Sequence, residues 1–307
     1  MSSPGRLRHA LRLMLRAGLL VLVFILLLAG AGWWYLHPAS EVTRGIVYGQ
    51  RNGRELTLEV HRPKAPNGIG VLIMVSGKWK SHPGKFRAWM AAPSLRAGHT
   101  VFAVSHIAQP EATVPEIVED IHRAARFVRH HARDYGVDPR RLAVTGGSSG
   151  GHLSLMLATR GGPGPADAPD PVDREDSSVQ AAAVFFPVTD LLNLGPSTEN
   201  DGTGGPPKSF KKSFGPEAAD LEKWKLIGRE VSPIFHITPR LPPVLIAHGD
   251  ADTLVPLDQS ERFQKRAAEL GHDIRVLVRP GARHGWLTIM WDVRRFAEWF
   301  NERLAAL

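Results

Sequence analysis

The sequence predicts an α/β protein with a mostly parallel central sheet flanked by helices, and three observations carry that reading. Short, largely apolar runs recur at Val71 to Val75, Thr100 to Val104, Ala181 to Val188 and Pro243 to Ala247, as expected of strands covered on both faces of a parallel sheet. Segments of helical period separate them, the clearest being Val114 to Arg133 with Ile117, Ile121, Ala124, Ala125 and Val128 on one face. Between two such runs, Leu142 to Leu155 reads as a strand, a sharp turn of small residues and a helix.

Taken in order, the chain opens on a basic segment, residues 1–16, read as cytoplasmic. Residues 17–36 carry no charge and end in Trp33, Trp34 and Tyr35, which predicts a transmembrane helix. Arginines before it and interfacial aromatics after it predict a single pass, with the N-terminus in the cytoplasm and the folded domain extracytoplasmic, in a periplasm. Ala29-Gly30-Ala31 offers a processing site, so secretion after signal cleavage stays open as the alternative. The uncleaved anchor is favoured because the apolar run outlasts a usual signal core. Residues 37–54 read as a linker, and 55–307 as the folded domain.

From Glu55, Leu56, Leu58 and Val60 alternate as in a half-buried strand that stops at Pro63. Val71 to Val75 is followed by the loop Ser76-Gly77-Lys78-Trp79-Lys80-Ser81. His130 and His131 end the long amphipathic helix; neighbours on a helix point about 100° apart, so solvation and the helix dipole explain them better than a metal. Gly161 to Ser178 is acidic and rich in Pro and Gly, and reads as a mobile excursion. Asp190, after the next strand, suits a turn cap. Residues 191–232 form an insertion holding a glycine and proline cluster and a basic aromatic patch, Lys208 to Phe214, read as a solvated loop in preference to a contact with lipid headgroups. Asp258 to Leu270 reads as a helix stopped by Gly271, Ile274 to Val278 as the last strand, and the stretch through Phe296, Trp299 and Phe300 as a closing helix.

Composition narrows the function classes. The 307 residues and 43% hydrophobic content suit one large α/β domain. Half of the net charge of +8 sits in Arg6, Arg8, Arg12 and Arg16, and the other basic residues form no stripe interleaved with aromatics, so no nucleic-acid partner is expected. The absence of cysteine excludes a disulfide framework, a thiolate metal site and a cysteine nucleophile.

The chemistry concentrates at Gly-Gly-Ser-Ser-Gly-Gly, residues 146–151. Gly-x-Ser-x-Gly between a strand and a helix is a nucleophile elbow, where flanking glycines let the chain reverse around a strained serine. The pattern fits on Ser148 or on Ser149. Ser148 is the choice, because Gly150 and Gly151 then both follow it where side chains would crowd the neighbouring strands. The backbone N–H of Ser149 then serves an oxyanion.

Gly-x-Ser-x-Gly-Gly-His-Leu over residues 146–153 resembles the α/β-hydrolase superfamily, in particular its esterase/lipase and prolyl-oligopeptidase-like serine hydrolases, and the resemblance runs from about residue 55 onward. It implies an α/β-hydrolase fold with a cap-like insertion at 191–232, and the order nucleophile, acid, histidine along the chain. His248-Gly249-Asp250-Ala251-Asp252-Thr253-Leu254-Val255-Pro256 resembles the family's acid loop, which puts the acid on Asp252 and leaves Asp250 to orient the loop. His284, on the Gly-flanked loop after the last strand, completes the set. The family's oxyanion loop usually reads His-Gly-Gly; here Ser76 and Lys78 depart from it, and the backbone N–H groups of Gly77 and Lys78 are the candidates. These residues imply a serine hydrolase cleaving carboxylic esters, needing no metal or cofactor, with a small-molecule ester or short peptide as substrate. A small prolyl-oligopeptidase-like peptidase and a catalytically silent binding module are the alternatives.

Overall fold

The computed structural model describes residues 4–84 and 86–307, so the first three residues of the basic segment 1–16 lie outside the described residues. The strands are β1 (Ser40–Arg51), β2 (Arg54–Pro63), β3 (Gly68–Met74), β4 (Thr100–Val104), β5 (Val137–Gly147), β6 (Ala181–Phe185), β7 (Val244–Gly249) and β8 (Ile274–Arg279). The helices are α1 (Pro4–Leu36), α2 (Ala92–Arg96), α3 (Val114–His130), α4 (Ser149–Arg160), α5 (Pro171–Arg174), α6 (Leu221–Glu230), α7 (Asp258–Glu269) and α8 (Ile289–Leu304). One sheet holds all eight strands in the order β1-β2-β4-β3-β5-β6-β7-β8. Pairing is antiparallel for β1 with β2 and β2 with β4, and parallel from β4 to β8.

The pleat sorts the apolar runs into two cores. On β3, Leu72 and Met74 face a core shared with α3, α4, α6 and α7, while Ile69 and Val71 face α8. Leu95 of α2 packs on Val101 and Ala103 of β4 on this second face. Helix α3 starts on a capping box, Thr113 Oγ1 accepting from Glu116 N and the Glu116 carboxylate accepting from Thr113 N at 2.7 Å, worth about 1 kcal/mol. The apolar runs thus become strands because helices cover both sides, as their continuous hydrophobicity requires.

Two expectations are corrected. Residues 37–54 are no linker: Ser40–Arg51 is an edge strand joined to β2 by a turn at Asn52 (φ 52°) and Gly53 (φ 74°). Asn-Gly is the preferred pair where both turn residues need positive φ. The strand hid from its pattern because a register shift at Gly45 (φ 67°) breaks the alternation and its outer side is solvated. The acidic excursion 161–178 is likewise pinned: Arg123 of α3 pairs with Asp170 and Asp173, and Arg129 Nε donates to Asp176 O at 2.6 Å. Its acids lie along the basic face of α3.

Insertion 191–232 lies over the carboxyl ends of the central strands as a cap. Phe214 and Trp224 turn inward, while Lys208, Lys211 and Lys212 stay exposed. Helix α1 holds an apolar stretch, Leu11–Leu36, whose most apolar window, of mean hydropathy 2.6, is fully exposed, and which is long enough to cross a membrane. Only its last turn is tied down. Arg96 Nε donates to Tyr35 O at 2.7 Å, and the same guanidinium lies 3.9 Å from the Trp34 ring centre.

Candidate active site

Ser148 occupies the turn between β5 and α4 with φ 55° and ψ −121°, a region that costs a non-glycine residue about 1–3 kcal/mol. Its N–H donates to Phe185 O at the end of β6, 3.0 Å away, which holds the elbow in place. The glycines are steric necessities. A Cβ on Gly150 would lie 2.5 Å from Met74 O of β3, and one on Gly151 2.9 Å from Phe185 O. Helix α4 can therefore start against both neighbouring strands only without side chains there.

The acid and the histidine come from the ends of β7 and β8. His284 Nδ1 lies 2.7 Å from Asp252 Oδ2, and Asp252 Oδ1 accepts from the N–H groups of Leu254 and Val255, both at 3.0 Å. Burial of Asp252 pushes its pKa up, but the His248 imidazole 3.6 Å away, the hydrogen bond to His284 and the Val255 N–H outweigh that and hold the carboxyl below the usual carboxylate range. Asp250 accepts from Gly281 N–H at 2.7 Å and so ties the acid loop to the histidine loop. Farther along that loop, Trp286 Nε1 donates to Asp292 Oδ2 at 2.9 Å, and Arg279 pairs with the same carboxylate. Phe186 joins the two halves: its ring centre lies 4.4 Å from that of His284 and it packs beside Gly147. Ser148 Oγ has no hydrogen-bond partner among the described residues; in apo enzymes this contact often tightens only around substrate.

The oxyanion side differs from expectation. Lys78 (φ 57°) and Trp79 (φ 52°) form a tight turn in which Gly77 N–H donates to Lys80 O at 3.0 Å. Gly77 is therefore corrected: its N–H is already paired. Lys78 N–H and Ser149 N–H have no acceptor among the described residues, and Lys78, Trp79, Ser148 and Ser149 line one narrow cavity of about 50 Å³ under the cap. Ser149 opens α4, so its N–H has no partner within the helix.

Behind this turn runs a chain of neutral hydrogen bonds. His106 Nδ1 faces Ile107 O at 2.8 Å and so carries the proton; its Nε2 then accepts from Ser76 Oγ at 2.9 Å, and Ser76 Oγ accepts from Ser149 Oγ at 3.2 Å. Burial lowers the His106 pKa to about 4, which keeps the ring neutral. A second such bond fixes Trp79, whose Nε1 donates to His152 Nδ1 at 3.1 Å while His152 Nε2 donates to Val231 O at 2.6 Å. Sequence reasoning passed over His106, Phe186 and the partner of Trp79. A histidine just past a buried strand beside β3 was the available signal for the first.

The sequence model of the BD-FAE family matches residues 58–267, more than half of the chain. The chain belongs to the BD-FAE family. Among relatives, Esterase LipQ of Mycobacterium tuberculosis is 31% identical over 250 residues, covering 80% of this chain and 57% of that protein. Ethyl acetate hydrolase of Pseudomonas putida is 27% identical, over 77% of this chain and 73% of that protein. The chain spans about half the length of several relatives, 57% of LipQ and 37% of the probable carboxylic ester hydrolase LipM. The thermophilic esterase Est2 of Thermogutta terrifontis superposes with a TM-score of 0.68 at 25% identity, covering 86% of this chain and 92% of that one. A carbohydrate esterase from gut microbiota shares the fold, with a TM-score of 0.71 at 24% identity. The α/β-hydrolase fold expected from the elbow is thus established.

Proposed function

We propose that this chain is a membrane-anchored serine hydrolase of carboxylic esters that works through an acyl-enzyme on Ser148. The observation that carries the reading is the ionised Asp252 held 2.7 Å from His284 Nδ1, whose ring packs on Phe186 beside Gly147, the residue before the positive-φ serine. Asp252 fixes the tautomer with Nε2 free to take a proton, so His284 removes the Ser148 hydroxyl proton as Oγ attacks the ester carbonyl. The Ser149 and Lys78 N–H groups receive the oxyanion as it forms. Collapse expels the alcohol, protonated by His284, and water then enters by the same route to release the acid and restore the serine. The relatives named as esterases and ester hydrolases support ester over peptide substrates.

Helix α1 supports a single-pass anchor, with the arginines Arg12 and Arg16 on the cytoplasmic side and the domain outside. The test of the catalytic reading is labelling of the full-length protein with a fluorophosphonate, beside Ser148→Ala and Ser149→Ala. Labelling of wild type and Ser149→Ala, lost in Ser148→Ala, is expected. A folded wild type that takes no label would mark a silent binding module instead.

A further inference from the structure

A second cavity opens on the other side of the elbow, and neither the proton transfers nor the oxyanion donors use it. It measures about 450 Å³ and lies between the sheet and the layer formed by α2, α8 and the turn Ala88–Ala91. Its inner end is Gly146 and Gly147, the two residues before Ser148, with Phe186 beside them. Ile73, Phe86, Met290 and Phe296 make much of the remaining wall, so the lining is overwhelmingly apolar. This volume falls in the range of small-molecule sites, roughly 300–1,000 Å³, whereas the 50 Å³ cavity under the cap does not.

The rim is apolar as well. Trp89 and Met90, in the cavity wall, are 43% and 46% exposed; flanking Ile289 and Met290 of the same wall, Leu287 just before α8 is wholly exposed and Trp291 70% so. Large apolar side chains held in water on one face mark an interaction surface. What that surface meets is indicated by α1. Its last turn ends on α2 and on the turn Ala88–Ala91, the elements that carry one side of the rim, through Arg96. A bilayer around α1 therefore lies next to the cavity mouth, and tryptophans are residues favoured at a lipid interface.

We propose that this cavity takes the hydrocarbon chain of an ester lipid drawn from the membrane that holds α1, with Trp89, Met90, Leu287 and Trp291 resting on the lipid surface. The inference rests on the ester-hydrolase and anchor readings above and names their substrate class. A chain lying along Met290 and Phe186 reaches Gly147, the residue before Ser148.

The experiment uses full-length protein in phosphatidylcholine vesicles. The ratio of p-nitrophenyl palmitate to p-nitrophenyl acetate hydrolysis is compared for wild type, the cavity-filling variants Met290→Trp and Met90→Trp, and the rim variant Leu287→Ser/Trp291→Ser. A fall of tenfold or more in that ratio is expected in each, with thermal unfolding reporting that the variants fold. In parallel, a palmitate analogue carrying a photoreactive diazirine is crosslinked in the vesicles and mapped by peptide mass spectrometry. Labelling of the peptides holding Met90 and Met290 is expected, reduced at least fivefold in Met290→Trp. Unchanged ratios, or labelling confined to α1, would overturn the proposal. Failure to cleave either ester would sink the hydrolase reading, and the crosslinking map would still decide whether the cavity holds a lipid chain.

Discussion

The wall of the site that carries His284 is held by charge, whereas the wall that carries Lys78 is held by neutral hydrogen bonds. On the first, Asp252 and Asp250 brace the histidine loop, and Asp292 is shared by Arg279 and Trp286. On the second, hydroxyls and imidazoles run from Ser149 through Ser76 to His106, and from Trp79 to His152. The difference follows the chemistry each wall serves. In the proposed reaction an imidazolium would form beside Asp252 and be stabilised by a fixed anion, while an oxyanion would be met by donors that must be aimed, which suits a scaffold of bonds with direction.

The largest expected effect strikes the charged wall. Asp252→Asn removes the anion and reverses the hydrogen bond that sets the His284 tautomer, so kcat for ester hydrolysis should fall by about 10⁴, with the melting temperature little changed by comparison. If Asp250→Asn instead carries the loss, the acid has been misassigned.

Acid should weaken the fold through its buried histidines, two of which, His106 and His152, belong to the neutral wall. Burial lowers the pKa of His99, His106 and His152 to about 4 and of His122 to about 3, against an ordinary value of 6.5. Between these values the unfolded chain binds protons that the native state refuses, so stability is full above pH 6.5 and is lost as pH falls toward 4. Asp120 opposes this with one proton, since burial raises its pKa to about 6 and lets the native state hold it there. These five groups alone give a net of about three protons and a slope near 4 kcal/mol per pH unit at its steepest, and His61 and His236, whose pKa burial also lowers, steepen it. Chemical denaturation measured from pH 7 to 4.5 checks it. A flat profile would mean these rings are protonated in the fold.

Smaller effects sharpen the contrast. Ser76→Ala leaves the buried Nε2 of His106 without its donor, costing about 1–3 kcal/mol of stability. If the chain aims the Ser149 end of the oxyanion site, kcat drops about tenfold while KM hardly moves; equal changes in both would assign Ser76 to substrate binding. Asp250→Asn keeps an acceptor for Gly281 N–H and should cost under about 1 kcal/mol, read as a change in melting temperature of a few degrees.

The charged wall was largely legible in the sequence and the neutral one was not. Asp252 and His284 stand after apolar strands in loops marked by glycine, so strand order alone brings them to one edge of the sheet. Ser76 and His106 lie thirty residues apart in sequence and meet because β3 and β4 are parallel neighbours, which no local pattern states. Gly77 looked like a free donor because glycine invites close approach; its N–H is consumed by a turn whose two central residues, Lys78 and Trp79, carry none of the usual preference for positive φ. The edge strand β1 escaped for a related reason, two register shifts breaking its period. The large cavity has no sequence signature, since its walls come from three strand ends and two helices far apart in the chain.

Only His37, Pro38 and Ala39 separate the end of α1 from the first strand. Three residues reach about 11 Å at full extension, and Arg96 holds the last carbonyls of the helix against the domain. With α1 in a bilayer, the catalytic domain is less a bead on a string than a plough fixed to its beam. Its encounters would then be confined to two dimensions, and the rate of the proposed reaction would follow the surface density of an ester among the lipids rather than its concentration in the surrounding water.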